Sequence, residues 1–190
     1  MSSFVRTLTR LAVAGTAIAA TGVTVPAATA AETSAASQGV VKVSSDADSE
    51  TRAIAASRSG AVALAATVCG SGYELTDAKA LPNATTRYGT LFFYTNATTT
   101  SACAIMDNNT SGSANYMDLR IWAGNNTAGA DVDKGTFSQY AGPVYSSTAA
   151  AGGRCVGLSA LMKNDAGTSN LINWKGGYIF SAGAGSECVS

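Results

Sequence analysis

The sequence predicts an all-β domain over residues 67–190, a small antiparallel sandwich or barrel held by two disulfides. Three observations carry that expectation. Every aromatic residue after Phe4, and all four cysteines, lie from Cys69 onward. Within that stretch, short runs rich in aromatic and β-branched residues alternate with Gly, Asn, Asp and Ser turns at near-regular spacing, with no convincing helical period. The stretch is also long enough for one hydrophobic core and too short for two ordinary domains.

Residues 1–30 read as a secretory signal peptide. Arg6 and Arg10 form a positive start, residues 11–25 are apolar and Ala-rich, and Ala28-Thr29-Ala30 is an A-x-A cleavage site. No Arg-Arg pair is present, which favours the general export route. The alternative, a membrane helix, needs a longer and more strongly apolar run. Residues 31–66 mix Ala, Ser and scattered charge without an aromatic, so they bury too little to offset the entropy of ordering them. They are expected to be a flexible spacer or propeptide. Its second half is Ala-rich enough to flicker into helix but has no evident apolar face. Arg52 and Arg58 would then be exposed processing sites. Val68-Cys69-Gly70-Ser71-Gly72-Tyr73 opens the folded domain, with Cys69 as its first covalent anchor.

The strands follow in order. Residues 88–96 are rich in β-favouring side chains, and 101–107 carry Cys103. Residues 108–113 form a polar turn. In 116–123, Met117, Leu119 and Ile121 point one way and Asp118, Arg120 and Trp122 the other. Residues 124–135 read as a long Gly/Asn/Asp loop. Two strands, 136–140 and 144–148, are expected to break at Gly142-Pro143, because proline has no N–H for a ladder. Residues 154–162 and 171–180 complete the set, the last interrupted at Gly176-Gly177.

With the strands placed, three motifs form a pattern. Cys69-Gly70-Ser71-Gly72-Tyr73 opens the domain, Tyr140-Ala141-Gly142-Pro143-Val144-Tyr145 lies past its middle, and Gly153-Arg154-Cys155 follows. These, with the order of the four cysteines, resemble the spore-associated protein A family of secreted actinomycete proteins. The resemblance spans 69–188 and implies a small exported protein found with the spore surface. It brings no catalytic or ligand residue with it. The segment 31–66 is longer than the family leads one to expect.

Cys69, Cys103, Cys155 and Cys188 contain no CxxC pair for zinc or redox chemistry, and in an exported chain they point to two disulfides. Three pairings are open. Cys69–Cys103 with Cys155–Cys188 closes two loops of similar span and ties each end of the domain to a strand near it in sequence, so it is the pairing expected. Each bridge would contribute roughly 3–4 kcal/mol through loop entropy.

The absence of histidine excludes Ser-His-Asp and Cys-His nucleophile systems, His-ligated zinc and imidazole acid–base catalysis. A hydrolase would have to use carboxylates, and two pairs are close in sequence: Glu74 with Asp77, and Asp131 with Asp133. Asp131-x-Asp133-x-Gly135 is also a fragment of a calcium loop, without its closing glutamate. Solvated turn residues are the simpler reading of both pairs. Trp122, Tyr140 and Tyr145 are candidate surface-binding aromatics, since rings on a sandwich face can stack on sugars; packing within the sandwich is the alternative. The Asn-x-Thr matches at Asn83, Asn96, Asn108 and Asn125 read as turn residues. Charge is scattered and the formal net charge is zero, so neither a nucleic-acid nor a membrane surface is expected after signal removal, and no cofactor is implied. The expected protein is a secreted, non-catalytic component of the spore or cell-wall surface. A glycan-binding module and a carboxylate hydrolase are the alternatives.

Overall fold

A computed structural model describes residues 41–112, 114–124, 126–147 and 155–179, the side chain of Ile179 excepted. The expected signal peptide and Cys188 lie outside these residues. Eight strands follow two helices: α1 (Ser49–Ser57), α2 (Ser59–Cys69), β1 (Glu74–Pro82), β2 (Arg87–Asn96), β3 (Ser101–Asp107), β4 (Asn115–Ala123), β5 (Asp131–Phe137), β6 (Tyr140–Ser147), β7 (Cys155–Lys163) and β8 (Asn170–Ile179). They form two four-stranded sheets, β1-β2-β3-β6 and β5-β4-β7-β8, antiparallel throughout. This is a sandwich, as expected from the strand pattern.

Alternation sets the core between the sheets. Leu91 and Phe93 of β2, Met117, Leu119 and Ile121 of β4, Leu158 and Met162 of β7 and Ile172 of β8 meet there. Tyr178 stacks on Phe93 with ring centroids 4.3 Å apart. The other face of the first sheet is also buried. Leu75, Phe92, Tyr94, Cys103 and Ile105 pack against Ile54, Val62 and Ala65 of the helices.

That second core corrects the expected spacer. Residues 31–40 lie outside the described part, but 41–66 belong to the folded domain. The chain runs Lys42–Ser44 beside Leu75 through two backbone hydrogen bonds, then enters α1 at Asp48, whose carboxylate accepts from the Thr51 N–H at 2.7 Å. Thr51 is fully buried. Its hydroxyl donates to Asp77 at 2.8 Å and accepts from the Ala78 N–H at 3.0 Å, where a bulge interrupts β1. Arg58, at the junction of the helices, donates to Asp107 at 2.8 Å and to Asn109 at 2.7 Å. Neither Arg52 nor Arg58 is therefore a processing site in a mobile stretch: Arg52 also donates to the Ala47 and Ser45 carbonyls. An apolar face does exist. It is made of one or two residues per turn rather than a broad stripe, and Ala65 is small enough to lie close against the sheet.

The Cys69–Cys103 bridge forms as expected and ties the end of α2 to β3. No described cysteine is a free thiol.

Two other expectations need correction. Strand β5 starts at Asp131, inside the stretch read as loop, and β6 runs straight through Gly142-Pro143. Proline is accommodated because β6 is an edge strand and its register with β3 shifts between Ala104 and Met106. Gly142 sits at φ 104°, and a Cβ there would lie 2.7 Å from the Ala104 carbonyl oxygen, so only glycine fits.

Asp107 gives this fold a pH signature. Burial raises its carboxyl above the ordinary value near 3.8, and Arg58 and the Thr90 N–H pull it back without cancelling the rise. A raised folded value means the favourable contribution is complete below the ordinary value and is lost as pH rises through the folded one. The stability of the wild type relative to Asp107→Asn should accordingly fall as pH is raised from below 4. Urea titrations of both proteins across pH 3–7 check this; a difference that stays flat or grows with pH contradicts it.

Candidate functional site

At one end of the sandwich the start of β2, the β3–β4 connection and the β7–β8 connection surround a depression of about 610 Å³. Its wall mixes polar side chains, among them Arg87, Asn109, Asn164 and Asp165, with apolar surface from Tyr88 and Leu171. Such a volume lies within the range of small-ligand sites.

Asparagines hold these connections in place. Asn108 accepts from the Thr110 N–H and hydroxyl and donates to Asn115 at 3.0 Å and to the Phe137 carbonyl at 2.9 Å. Asn115, 1% exposed, donates to the Lys163 carbonyl and to Asp165, both at 2.9 Å. Asn109 bonds the Tyr88 carbonyl through its own N–H, and its side chain accepts from Arg58. Asn164 caps its loop by accepting from the Thr168 and Ser169 N–H groups. The wall is thus fixed by hydrogen bonds before any ligand arrives.

The three candidate aromatics are not brought together. Trp122 does project from the polar face of β4, but it is only 5% exposed. Gly157 stands opposite it in the β4–β7 register, and the indole lies flat on that glycine, so close that a Cβ would fall 2.1 Å from the ring. Lys175 Nζ covers the ring at 5.8 Å from its centroid. Tyr140, on the other sheet, is half-buried against the helix-side core. Tyr145 is the exposed member at 40%; its hydroxyl donates to the Val68 and Cys69 carbonyls and its ring leans on Tyr73. The phenol is raised by partial burial and by Tyr73 and Asp131 beside it. No flat platform of coplanar rings results.

The carboxylate pairs are engaged in the fold. Glu74 pairs with Lys42, and Asp77 receives the Thr51 hydroxyl. Asp131 accepts from the Tyr145 N–H and Asp133 from the Gly142 N–H, each at 2.7 Å. The two aspartates of β5 therefore reach across to β6, the edge of the other sheet, and take backbone donors that face no neighbouring strand. They join the sheets rather than face each other across a cleft. Of the four asparagines in Asn-x-Thr matches, Asn83, Asn96 and Asn108 accept from backbone N–H groups one to two residues beyond the next position, as turn residues do; Asn125 lies outside the described residues.

Sequence reading missed the depression because its wall combines residues about 80 positions apart, from Arg87 to Leu171. The available signal was the cluster Asn108-Asn109-Thr110, too many hydrogen-bonding side chains for a simple turn.

If Asp133 is structural, Asp133→Ala should cost about 1–3 kcal/mol by leaving the half-buried Gly142 N–H without a partner. Asp131→Ala should cost less, since water can reach the exposed Tyr145 N–H. Chemical denaturation of both variants measures the order; wild-type stability for Asp133→Ala rules out the clasp.

No family model matches the chain, and no solved structure does. Among curated proteins, spore-associated protein A from Streptomyces coelicolor (strain ATCC BAA-471 / A3(2) / M145) is 36% identical over 113 residues, covering 59% of this chain and 68% of that protein. With that identity over two thirds of the relative's length, the chain belongs to the spore-associated protein A family.

Proposed function

We propose that the protein is a secreted, non-catalytic component of the spore or cell surface, retained there by its sandwich domain. The observation that carries this reading is the relationship to spore-associated protein A, whose name ties that relative to spores. Two features of the chain agree with it. Histidine is absent, and each of the four candidate acids has an oxygen engaged within the fold. Export is assigned to residues 1–30, and the second bridge to Cys155–Cys188; the absence of a free thiol among the described residues supports an oxidising destination. The partner is a spore or cell-wall surface, with no role for nucleic acid or membrane after signal removal.

A glycan-binding reading gains a different basis from the one the sequence offered. It moves from Trp122, Tyr140 and Tyr145 to the polar depression at the loop end.

Secreted protein incubated with intact spores, isolated peptidoglycan and soluble glycans should sediment with one of the surfaces and release no sugar. Protein that stays soluble with every surface, yet releases sugar at a rate abolished by Asp131→Asn, would be a hydrolase instead.

Intact-mass measurement of the secreted form should show residues 1–30 removed, and a non-reduced digest should yield a Cys155–Cys188 peptide. An intact Met1 or an alkylatable Cys188 contradicts these assignments.

A further inference from the structure

We propose that the loop-end depression binds an acidic saccharide, with Arg87 receiving its carboxylate. This deepens the surface reading above, and rests on it, by naming what the surface presents.

The arginines differ in what satisfies them. Arg58 is satisfied by Asp107 and Asn109, Arg120 by a two-pronged pair with Asp118, and Arg52 by backbone carbonyls. Arg87 differs. It lines the depression, its Nε is buried without an acceptor, and no described side chain accepts from its guanidinium. Asp107 lies near enough to feel its charge, but the Asp107 oxygens are taken by Arg58 and the Thr90 N–H. The Nε is closed off, so a ligand meets the remainder of this half-buried guanidinium, whose planar fork matches a carboxylate best.

The remaining wall selects what carries that carboxylate. Asn109, Thr110, Asn164 and Asp165 are each bonded within the wall, yet each keeps hydrogen-bonding capacity beyond those bonds: a second amide hydrogen on Asn109 and Asn164, hydroxyl lone pairs on Thr110 and further carboxylate lone pairs on Asp165, all suited to sugar hydroxyls. Tyr88 and Leu171 supply the apolar surface on which the C–H face of a sugar ring rests. A positive group and a negative one in the same wall orient the ligand: carboxylate toward Arg87, hydroxyls toward Asp165. A simple inorganic anion would use only the first, and a neutral sugar only the second. The asparagine hydrogen bonds keep the wall preorganised, so little ordering cost is left to binding.

The test uses the full secreted protein and a uronic-acid disaccharide, with its carboxyl-reduced counterpart as the neutral control. Calorimetry should show binding of the acid at least tenfold tighter than of the neutral sugar, and Arg87→Gln should remove that preference. In wild-type protein, amide shifts on titration should concentrate at Tyr88, Asn109 and Asn164, a measurement that does not depend on any variant folding. Lys175→Gln, on the far face of the other sheet, should bind as wild type does. Equal affinity for the acidic and neutral sugars, or shifts spread away from these residues, overturns the proposal. Sedimentation with spores is scored in parallel. Protein that sediments but ignores the acid refutes the saccharide site and leaves the surface reading standing; protein that binds the acid but ignores spores does the reverse.

Discussion

Strands β2 and β3 are buried on both faces, and most of the architecture follows from that demand. Leu91 and Phe93 point into the space between the sheets, while Phe92, Tyr94, Cys103 and Ile105 point the other way. Left bare, that second face would be a large contiguous apolar patch, an aggregation hazard. Residues 41–69 cover it. Each attachment is made at a place where the sheet has a group to satisfy: Thr51 at the β1 bulge, the Val62 carbonyl on the buried Tyr94 hydroxyl, Arg58 on Asp107, and Cys69 on Cys103. Burial pushes the Tyr94 phenol well up, which favours the neutral form that donates to the Val62 carbonyl. The bridge crosslinks the cover to its sheet in the unfolded chain as well, which restricts the denatured ensemble.

The β5–β6 edge of the sandwich solves a different problem with the same economy of means. β6 contains a proline and a left-handed glycine, and its far edge has donors that no strand pairs. Two aspartates two residues apart on β5 share one side of their strand and supply the acceptors. This is why a spacing that suits acid chemistry on paper is structural in the folded protein. It also blunts an exposed edge, since the donors that would recruit a foreign strand are already occupied.

Much of the fold was legible because alternation and burial coincide in β4, β7 and β8. The illegible parts have specific causes. The β1 strand hides its period behind the bulge after Leu75 and behind small alanines; β5 has Gly and Asp where a strand former is expected. The helices show no evident apolar face in sequence, yet the unbroken run Leu91-Phe92-Phe93-Tyr94 signals that something has to cover the outer face. Trp122 shows the limit of alternation most clearly. The pattern places it on the correct face, but only the glycine opposite decides whether the ring stands up or lies down. The loop-end depression leaves only a local hint in the sequence, the Asn108-Asn109-Thr110 cluster, because its wall is assembled by sheet register.

These constraints also determine where the molecule is free to bind. One outer face lies under the helices, the β5–β6 side is occupied by its own carboxylates, and the aromatic rings that a binding platform would use are packed or tethered. The other outer face carries Lys163 over Tyr116, Lys175 over Trp122 and the Arg120–Asp118 ion pair with Lys134 opposite Asp118, so its charges are engaged with rings and with one another. The loop end differs from all of these in having rigid polar walls around open space. Recognition built there requires no movement of the core, and the loops can change side chains without disturbing either sheet. In a small domain whose β2 and β3 are committed on both faces, such an end is the surface on which specificity can be set at least cost to the fold.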